Sequence, residues 1–169
     1  PSVPARIHFL DRGDVKKKRE AVPVRYPKAL IRNGAEPSRW SQGSAEQPEV
    51  PGRVALARWI TDHHDGAGHL LARVIVNRVW HHYFGRGIVA TPSDFGTRGE
   101  PPTHPELLDW LAGELIQNGW RLKPIHKLIL TSATYQQGFQ NAAIDSRLAG
   151  YEELDSDNLL LWRRDPKRL

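Results

Sequence analysis

A sixteen-residue segment, 69–84, constrains the fold more than any other part of the 169-residue chain. On a helical wheel its apolar side chains fall on nearly every side. They are Leu70, Leu71, Val74, Ile75, Val76, Val79, Trp80, Tyr83 and Phe84. A helix that is apolar on most sides is usually buried among other elements, and Gly85 and Gly87 provide a C-terminal stop. The segment therefore predicts a central buried helix over about 69–84.

A first helix is predicted before the central one. Pro51 is typical of a first helical turn, and Leu56, Trp59 and Ile60 recur at spacings of three and four residues. This spacing places them on one face of a helix. The turn-rich run 62–68 should end it.

Further helices are predicted after the central one. Thr103 as N-cap, with Glu106 three residues later, predicts a capping box. The apolar face of the helix that follows is Leu107, Leu108, Leu111, Ala112, Leu115 and Ile116. Another helix is predicted from Pro124, and a short last one over 154–162. The expected fold is mainly α, with four to five helices around the 69–84 helix.

The first fifty residues differ in character from the rest. Prolines recur there too densely for long helices, and only the apolar stretch 7–10 has the character of a strand. We predict a long irregular arm and linker over 1–50 and a helical domain over 51–169. Because the chain opens without Met and stops within a basic stretch, we interpret it as a segment of a larger protein, truncated at the C-terminus.

Composition limits the chemistry that this segment can perform. It contains no cysteine, which excludes disulfides, thiolate catalysis, cysteine-ligated zinc and iron–sulfur clusters within it. No apolar run approaches the ~18 residues that a membrane span needs. The net charge is +5, but residues 1–40 hold ten Lys/Arg against four acids, whereas residues 41–160 hold ten against fourteen. The positive excess is therefore terminal.

One basic run stands out, at Lys16, Lys17, Lys18 and Arg19. Such a run attracts phosphate or anionic lipid. The simpler interpretation is a solvated loop, because no aromatic residues are interleaved with the charges. Since the body of the chain is mildly acidic, a nucleic-acid partner is not expected.

The central helix also contains the polar side chains best suited to chemistry. Arg73, Asn77 and His81 recur every four residues and are neighbours on a helix, with Arg78 beside them. The full candidate cluster is Arg73, Asn77, Arg78, His81, Asp94, His104 and Glu106. An isolated buried charge costs on the order of several kcal/mol. We therefore predict that Arg73, Asn77 and Arg78 are largely buried and bonded to residues 91–110.

Two interpretations of this cluster are open. In the first, it forms a pocket for an anionic or polyhydroxylated ligand, with His81 or His104 as acid or base. In the second, which we favour, it is a structural network that fixes the Gly-rich loop to the helix. If Arg73 belongs to a buried pair, Arg73→Ala should destabilise the fold by ~3–5 kcal/mol.

The loop around 62–69 is rich in metal-ligating residue types. His63, His64 and His69 are the first candidates for an ion. No second cluster at a diagnostic spacing accompanies them, so we expect a solvated loop. We expect no metal, haem or nucleotide cofactor in this segment.

Six tryptophans are many for this length. Exposed tryptophans stack on sugars and would suit a carbohydrate-binding surface. Trp59, Trp80 and Trp110 lie within helical patterns, however, and we predict that they pack in the core.

Several motifs resemble one protein family. They are Arg53-Val-Ala-Leu-Ala-Arg-Trp59, Ala72-Arg-Val-Ile-Val-Asn-Arg-Val-Trp80, Phe84-Gly-Arg-Gly-Ile-Val89, Asp94-Phe-Gly96, Pro102-Thr-His-Pro-Glu-Leu-Leu-Asp-Trp-Leu-Ala112, Gly119-Trp120 and Ser132-Ala-Thr-Tyr135. Together they resemble the planctomycete-specific domain of unknown function found in large exported proteins, often beside a planctomycete-type cytochrome c domain. That family usually has Asn-Pro where this chain has Gly66-Ala67-Gly68-His69. The resemblance implies an exported, periplasmic or cell-surface setting with haem held by another domain, and it implies no catalytic residues.

The function that we expect is a non-catalytic interaction or scaffold module of a larger exported bacterial protein. Its expected partners are sister domains of the same parent protein, and cell-surface polysaccharide is a further candidate. The alternative is an enzyme or enzyme subdomain that acts on polysaccharide or another anionic polymer. The sequence alone leaves open whether the chain is an enzyme.

Overall fold

A computed structural model of the chain describes residues 7–22, 25–43, 50–137 and 149–164. Within these ranges lie six α-helices and a two-stranded antiparallel sheet. The strands are β1 (His8–Leu10) and β2 (Lys18–Ala21), and the helices are α1 (Gly52–Thr61), α2 (Gly68–Phe84), α3 (Pro105–Gln117), α4 (Leu122–Leu130), α5 (Ala133–Gln136) and α6 (Ala149–Leu154). The prediction of a mainly α fold is confirmed, and β1 occupies the stretch predicted as a strand.

The chain separates into two compact units, 1–67 and 68–169. Helix α1 belongs to the first unit, although the helical domain was predicted to begin at residue 51. The division into an arm over 1–50 and a domain over 51–169 stays a prediction.

An aromatic core holds the first unit together. Trp40 and Trp59 are both buried. The Tyr26 ring meets the Trp40 ring edge-on at 5.2 Å and stacks on the Trp59 ring at 5.0 Å. The expectation of an irregular arm over 1–50 missed this core, because a short 3-10 turn at Pro37–Trp40 brings an arm tryptophan onto α1.

The buried face of α1 differs slightly from the predicted one. Ala55 and Trp59 are buried, whereas Leu56 is exposed. Leu56 follows Ala55 by one residue and so points about 100° away from it on the helix. The prediction of a face shared by Leu56, Trp59 and Ile60 was therefore wrong for Leu56.

The second unit is organised around α2, the helix predicted over 69–84. Helix α2 packs along α3 and also contacts α4. The buried core consists of Ala72, Val76, Val79, Trp80, Ile88, Val89, Leu108, Leu111, Ala112, Leu115, Ile125 and Ile129. Of the seventeen residues of α2, only His69, Arg78 and His82 are exposed, so the prediction of a central buried helix is confirmed.

The start of α3 corrects the predicted capping box. The helix begins at Pro105, and His104 occupies the N-cap position without a side-chain cap bond. Thr103 is instead bound to the preceding loop, since its N–H and its hydroxyl both donate to the Ile88 carbonyl oxygen at 2.9 and 3.3 Å. The apolar face predicted for this helix is confirmed, with Leu108, Leu111, Ala112 and Leu115 buried.

Trp110 is the exception among the predicted core tryptophans. Trp59 and Trp80 are buried, whereas Trp110 is 51% exposed. It lies on α3 next to Leu111, and successive residues of a helix point about 100° apart. Trp110 also lies about 160° around the helix from both Leu108 and Ala112, so it is on the side of α3 opposite the buried face and turns toward solvent.

The last helix also lies elsewhere than predicted. It was expected over 154–162, but α6 ends at Leu154. The Asp155 carboxylate then accepts hydrogen bonds from the backbone N–H groups of Leu159 and Leu160 at 2.8 and 2.7 Å. These bonds hold 155–160 in turns and compete with helix formation.

Candidate functional site

Asn77 is the most deeply buried member of the predicted cluster. It is 0% exposed, and its amide binds a single residue of the following loop twice. Its Nδ2 donates to the Val89 carbonyl oxygen at 3.0 Å, and its Oδ1 accepts from the Val89 N–H at 2.8 Å. The prediction that Asn77 is buried is confirmed, although its partner lies just before the expected range 91–110.

Gly87 permits this contact. A Cβ atom at this position would lie 2.8 Å from both amide atoms of Asn77 and 2.5 Å from the Val89 carbonyl oxygen. These distances are too short for any side chain. The loop can therefore lie against α2 only because residue 87 is glycine.

The two arginines of α2 do not behave as predicted. Arg73 forms an ion pair with Asp109, within the expected range, but its side chain is 43% exposed and that of Asp109 is 51% exposed. Arg78 is exposed and makes no ion pair within the described residues. The prediction of largely buried arginines was wrong, because their long side chains extend from a buried backbone into water.

This exposure changes the expected effect of Arg73→Ala. An exposed ion pair contributes about 0–1 kcal/mol, so the variant should lose at most ~1 kcal/mol rather than the ~3–5 kcal/mol expected of a buried pair. Urea denaturation followed by circular dichroism would measure it. Arg78→Ala is the matched control, with no expected loss, and a loss above ~2 kcal/mol for Arg73→Ala would contradict the exposed geometry.

Asp94 shapes its own loop. Its carboxylate Oδ1 accepts from the Gly96 N–H at 2.9 Å, and its carbonyl oxygen accepts from the Thr91 hydroxyl at 2.8 Å. The same Thr91 oxygen accepts from the Glu100 N–H at 3.0 Å. These bonds are those of a turn-stabilising aspartate.

The remaining candidates are His81, His104 and Glu106. His81 Nδ1 is buried and has no hydrogen-bond partner among the described residues. His104 Nδ1 lies 3.0 Å from the Thr103 hydroxyl oxygen, and Glu106 is exposed in the first turn of α3.

A small cavity of about 50 Å³ lies beside His104. Its other polar lining residues are Arg86, Thr103, Asp157, Asn158 and Arg163. The volume has room for a few water molecules, and it is far below the roughly 300 Å³ at which ligand pockets begin. Of the seven predicted site residues, only His104 lines it, so the structure does not bring the cluster together there.

The sequence analysis missed a second asparagine of the same kind. Asn158 is buried, its Nδ2 donates to the Arg163 carbonyl oxygen at 2.8 Å, and its Oδ1 accepts from the Arg163 N–H at 3.2 Å. This repeats the arrangement of Asn77 on Val89. The turn-prone run Asp155–Asn158 was the only sequence signal for it.

A tyrosine and a histidine were also missed. The Tyr83 hydroxyl lies 2.8 Å from His126 Nδ1, and the Tyr83 ring packs edge-on against Tyr135 at 5.5 Å. Tyr83 lies in α2 and His126 in α4, each among apolar residues. Their sequence surroundings are therefore those of core positions and gave no sign of a polar pair. The pair links α2 to α4 and is partly buried.

The loop after α1 is better organised than the solvated loop that was expected. The Asp62 carboxylate accepts hydrogen bonds from the Trp40 indole N–H at 2.9 Å and from the backbone N–H groups of His64 and Asp65 at 2.9 and 3.0 Å. Asp65 in turn forms an ion pair with Arg39. The carboxylates of this loop therefore hold the first unit together.

No group of three or more His, Cys, Asp or Glu side chains in the described part of the chain is placed to hold a metal ion. The neighbours His63 and His64, whose tilted rings have centroids 4.7 Å apart, therefore lack a third ligand of these types there. The absence of a cofactor stays a prediction.

The chain belongs to the PSD1 family, described as protein of unknown function (DUF1553), whose sequence pattern matches residues 52–169. No curated protein and no solved structure matches the chain. The expected resemblance to a domain of unknown function is thus confirmed, whereas the link to planctomycetes and to cytochrome c domains stays a prediction. None of the helices among the described residues is long and apolar enough to cross a bilayer.

Proposed function

We propose that this member of the DUF1553 family is a non-catalytic interaction or scaffold module of a larger exported bacterial protein. Its partners would be sister domains of the same parent protein, with cell-surface polysaccharide as a further candidate. The exported setting rests on the family resemblance of the sequence motifs. The non-catalytic role rests on the geometry of the polar side chains.

The observation that supports this role best is what the candidate polar groups bind. Both amide atoms of Asn77 are hydrogen-bonded to the backbone of Val89. Arg73 forms an ion pair with Asp109, and the Asp94 carboxylate accepts a hydrogen bond from the Gly96 N–H in its own loop. A catalytic constellation needs groups that converge on a common point where a reacting atom can sit. These groups bind the protein itself instead.

The alternative is an enzyme or enzyme subdomain acting on polysaccharide or another anionic polymer. Two observations favour it. His104 lines the cavity next to α3, and Trp110 on the same helix is 51% exposed, as a sugar-stacking residue would be. Against it, the cavity of about 50 Å³ is too small for a sugar unit.

A glycan and polyanion screen on the full-length parent protein would distinguish the two. It should be run for binding and for turnover, and repeated with His104→Ala and Arg78→Ala. The scaffold role predicts no turnover of any polymer and no effect of either substitution on folding. Turnover that is abolished by His104→Ala in a stably folded protein would defeat it and establish the enzyme.

A further inference from the structure

The strands β1 and β2, with the turn between them, form an exposed ribbon over residues 7–22. Every residue from 12 to 22 is exposed. Large apolar side chains share this exposure. They are Ile7 at 66%, Phe9 at 59%, Val15 at 68% and Val22 at 44%. A two-stranded ribbon with so little burial is marginally stable on its own. We therefore expect its exposed apolar side chains to contact another surface.

The apolar side chains are concentrated on one face of the ribbon. His8 pairs with Ala21, and the Val22 N–H donates to the Ile7 carbonyl oxygen at 2.8 Å, so Ile7 lies opposite Val22. Opposite residues point to the same side of a sheet, and so do residues two apart. Ile7, Phe9 and Val22 therefore share a face.

Positive charge is concentrated at the ribbon's turn end. Lys16, Lys17 and Lys18 are exposed, and none of them forms an ion pair within the described residues. Two of the three acids of the ribbon are already engaged, and the third, Glu20, is exposed in β2. Asp11 pairs with Arg19 at 3.0 Å, and the Asp14 carboxylate accepts from the Lys16 N–H at 2.9 Å.

We propose that this ribbon docks on the surface of an anionic lipid bilayer. The three lysines would meet the acidic headgroups, while the Phe9 face and Val15 would enter the interface, as in other peripheral elements that combine cations with apolar residues. A single-stranded nucleic acid fits less well. Single strands bind through several stacked aromatic rings, whereas Phe9 is the only Phe, Tyr or Trp among residues 7–22. This inference goes beyond the interaction role proposed above.

Sedimentation with sucrose-loaded vesicles would test the proposal on the purified 169-residue chain. We expect binding to vesicles of 30% phosphatidylglycerol in phosphatidylcholine, none to pure phosphatidylcholine, and loss of binding as NaCl rises from 50 to 500 mM. Lys17→Gln with Lys18→Gln should weaken partitioning about 25-fold, at roughly fivefold per lysine. Phe9→Ser should weaken it about tenfold.

Matched controls separate the ribbon from general charge and hydrophobicity. Lys123→Gln with Lys127→Gln removes two exposed lysines of α4, and Leu154→Ser removes a side chain that is 85% exposed. Neither should change partitioning. Circular dichroism should be unchanged in all variants, because none of these residues is buried.

Four results would overturn the proposal. They are equal binding to neutral vesicles, no effect of the ribbon lysines, no effect of Phe9→Ser, and tighter binding to duplex DNA than to anionic vesicles at the same salt. The last would assign the ribbon to a nucleic acid. Because the vesicles contain no protein or glycan, the three vesicle results do not bear on the interaction role tested by the polymer screen.

Discussion

Asn77→Ala should destabilise the second unit by about 3–5 kcal/mol. The substitution leaves the N–H and the carbonyl of Val89 without partners, and Val89 is only 2% exposed. Each unsatisfied buried group costs roughly 1–3 kcal/mol, and the side-chain cavity adds to this. Asn77→Asp should be comparably damaging, because it loses the donor to the Val89 carbonyl and buries a charge.

Urea denaturation followed by circular dichroism gives the size of this loss, and hydrogen exchange at the Val89 amide shows its origin. The amide should exchange much faster in Asn77→Ala than in the unsubstituted chain, since its acceptor is gone. Arg78→Ala, one residue along the same helix but exposed, is the control for substitutions in α2. A loss below about 1 kcal/mol for Asn77→Ala would show that water or loop movement satisfies Val89.

The helices could be predicted where apolar periodicity is strong. Both α2 and α3 follow from the spacing of their apolar residues, because a helix in a compact domain must bury its apolar side. The burial of Asn77 also follows, since it lies within the all-round apolar segment. The exposure of the Arg73 and Arg78 side chains could not be predicted in this way, because a helical wheel locates the Cα atoms and not the ends of long side chains.

The partners within the candidate site could not be predicted. Asn77 binds Val89, and Thr103 binds Ile88, so the specificity lies in an irregular loop that has no periodic signal. Which backbone group meets which side chain there depends on the path of the loop. Glycine at position 87 was read only as a helix stop, although its close approach to Asn77 is what the fold requires.

The aromatic core of the first unit could not be predicted from the sequence, for a different reason. Tyr26, Trp40 and Trp59 are far apart in sequence, and two of them lie in a proline-rich stretch without helix or strand periodicity. Tertiary packing between irregular segments leaves no local pattern. The aspartate that binds Trp40 was likewise read as one acid of a solvated loop, since nothing in its neighbours indicates an indole partner.

That aspartate, Asp62, should be the main source of acid sensitivity in the first unit. Burial alone would raise its pKa, but hydrogen bonds from Asp65, Trp40 and His64, together with the charge of Arg39, lower the pKa below its ordinary value of 3.8. A group with a lowered folded-state pKa contributes stability above its unfolded pKa. That stability is lost as pH falls through the folded value. The contribution of Asp62 should therefore be constant from pH 7 to 5 and fall only below about pH 4.

Asp62→Ala should remove this contribution at neutral pH and destabilise the first unit by about 2–4 kcal/mol, because three donors lose a charged acceptor. Fluorine NMR of the chain labelled with 5-fluorotryptophan would follow Trp40 directly, during urea titrations at pH 7 and during an acid titration from pH 7 to 2.5.

Asp94→Asn is the matched control, since that carboxylate accepts a single N–H, from Gly96, in a surface turn. We expect the Trp40 signal of Asp62→Asn to lose part of its acid transition while that of Asp94→Asn keeps it. An Asp62→Ala chain within about 0.5 kcal/mol of the unsubstituted one, less than a single charged hydrogen bond contributes, would mean that the aromatic stack of Tyr26, Trp40 and Trp59 holds the unit without the carboxylate.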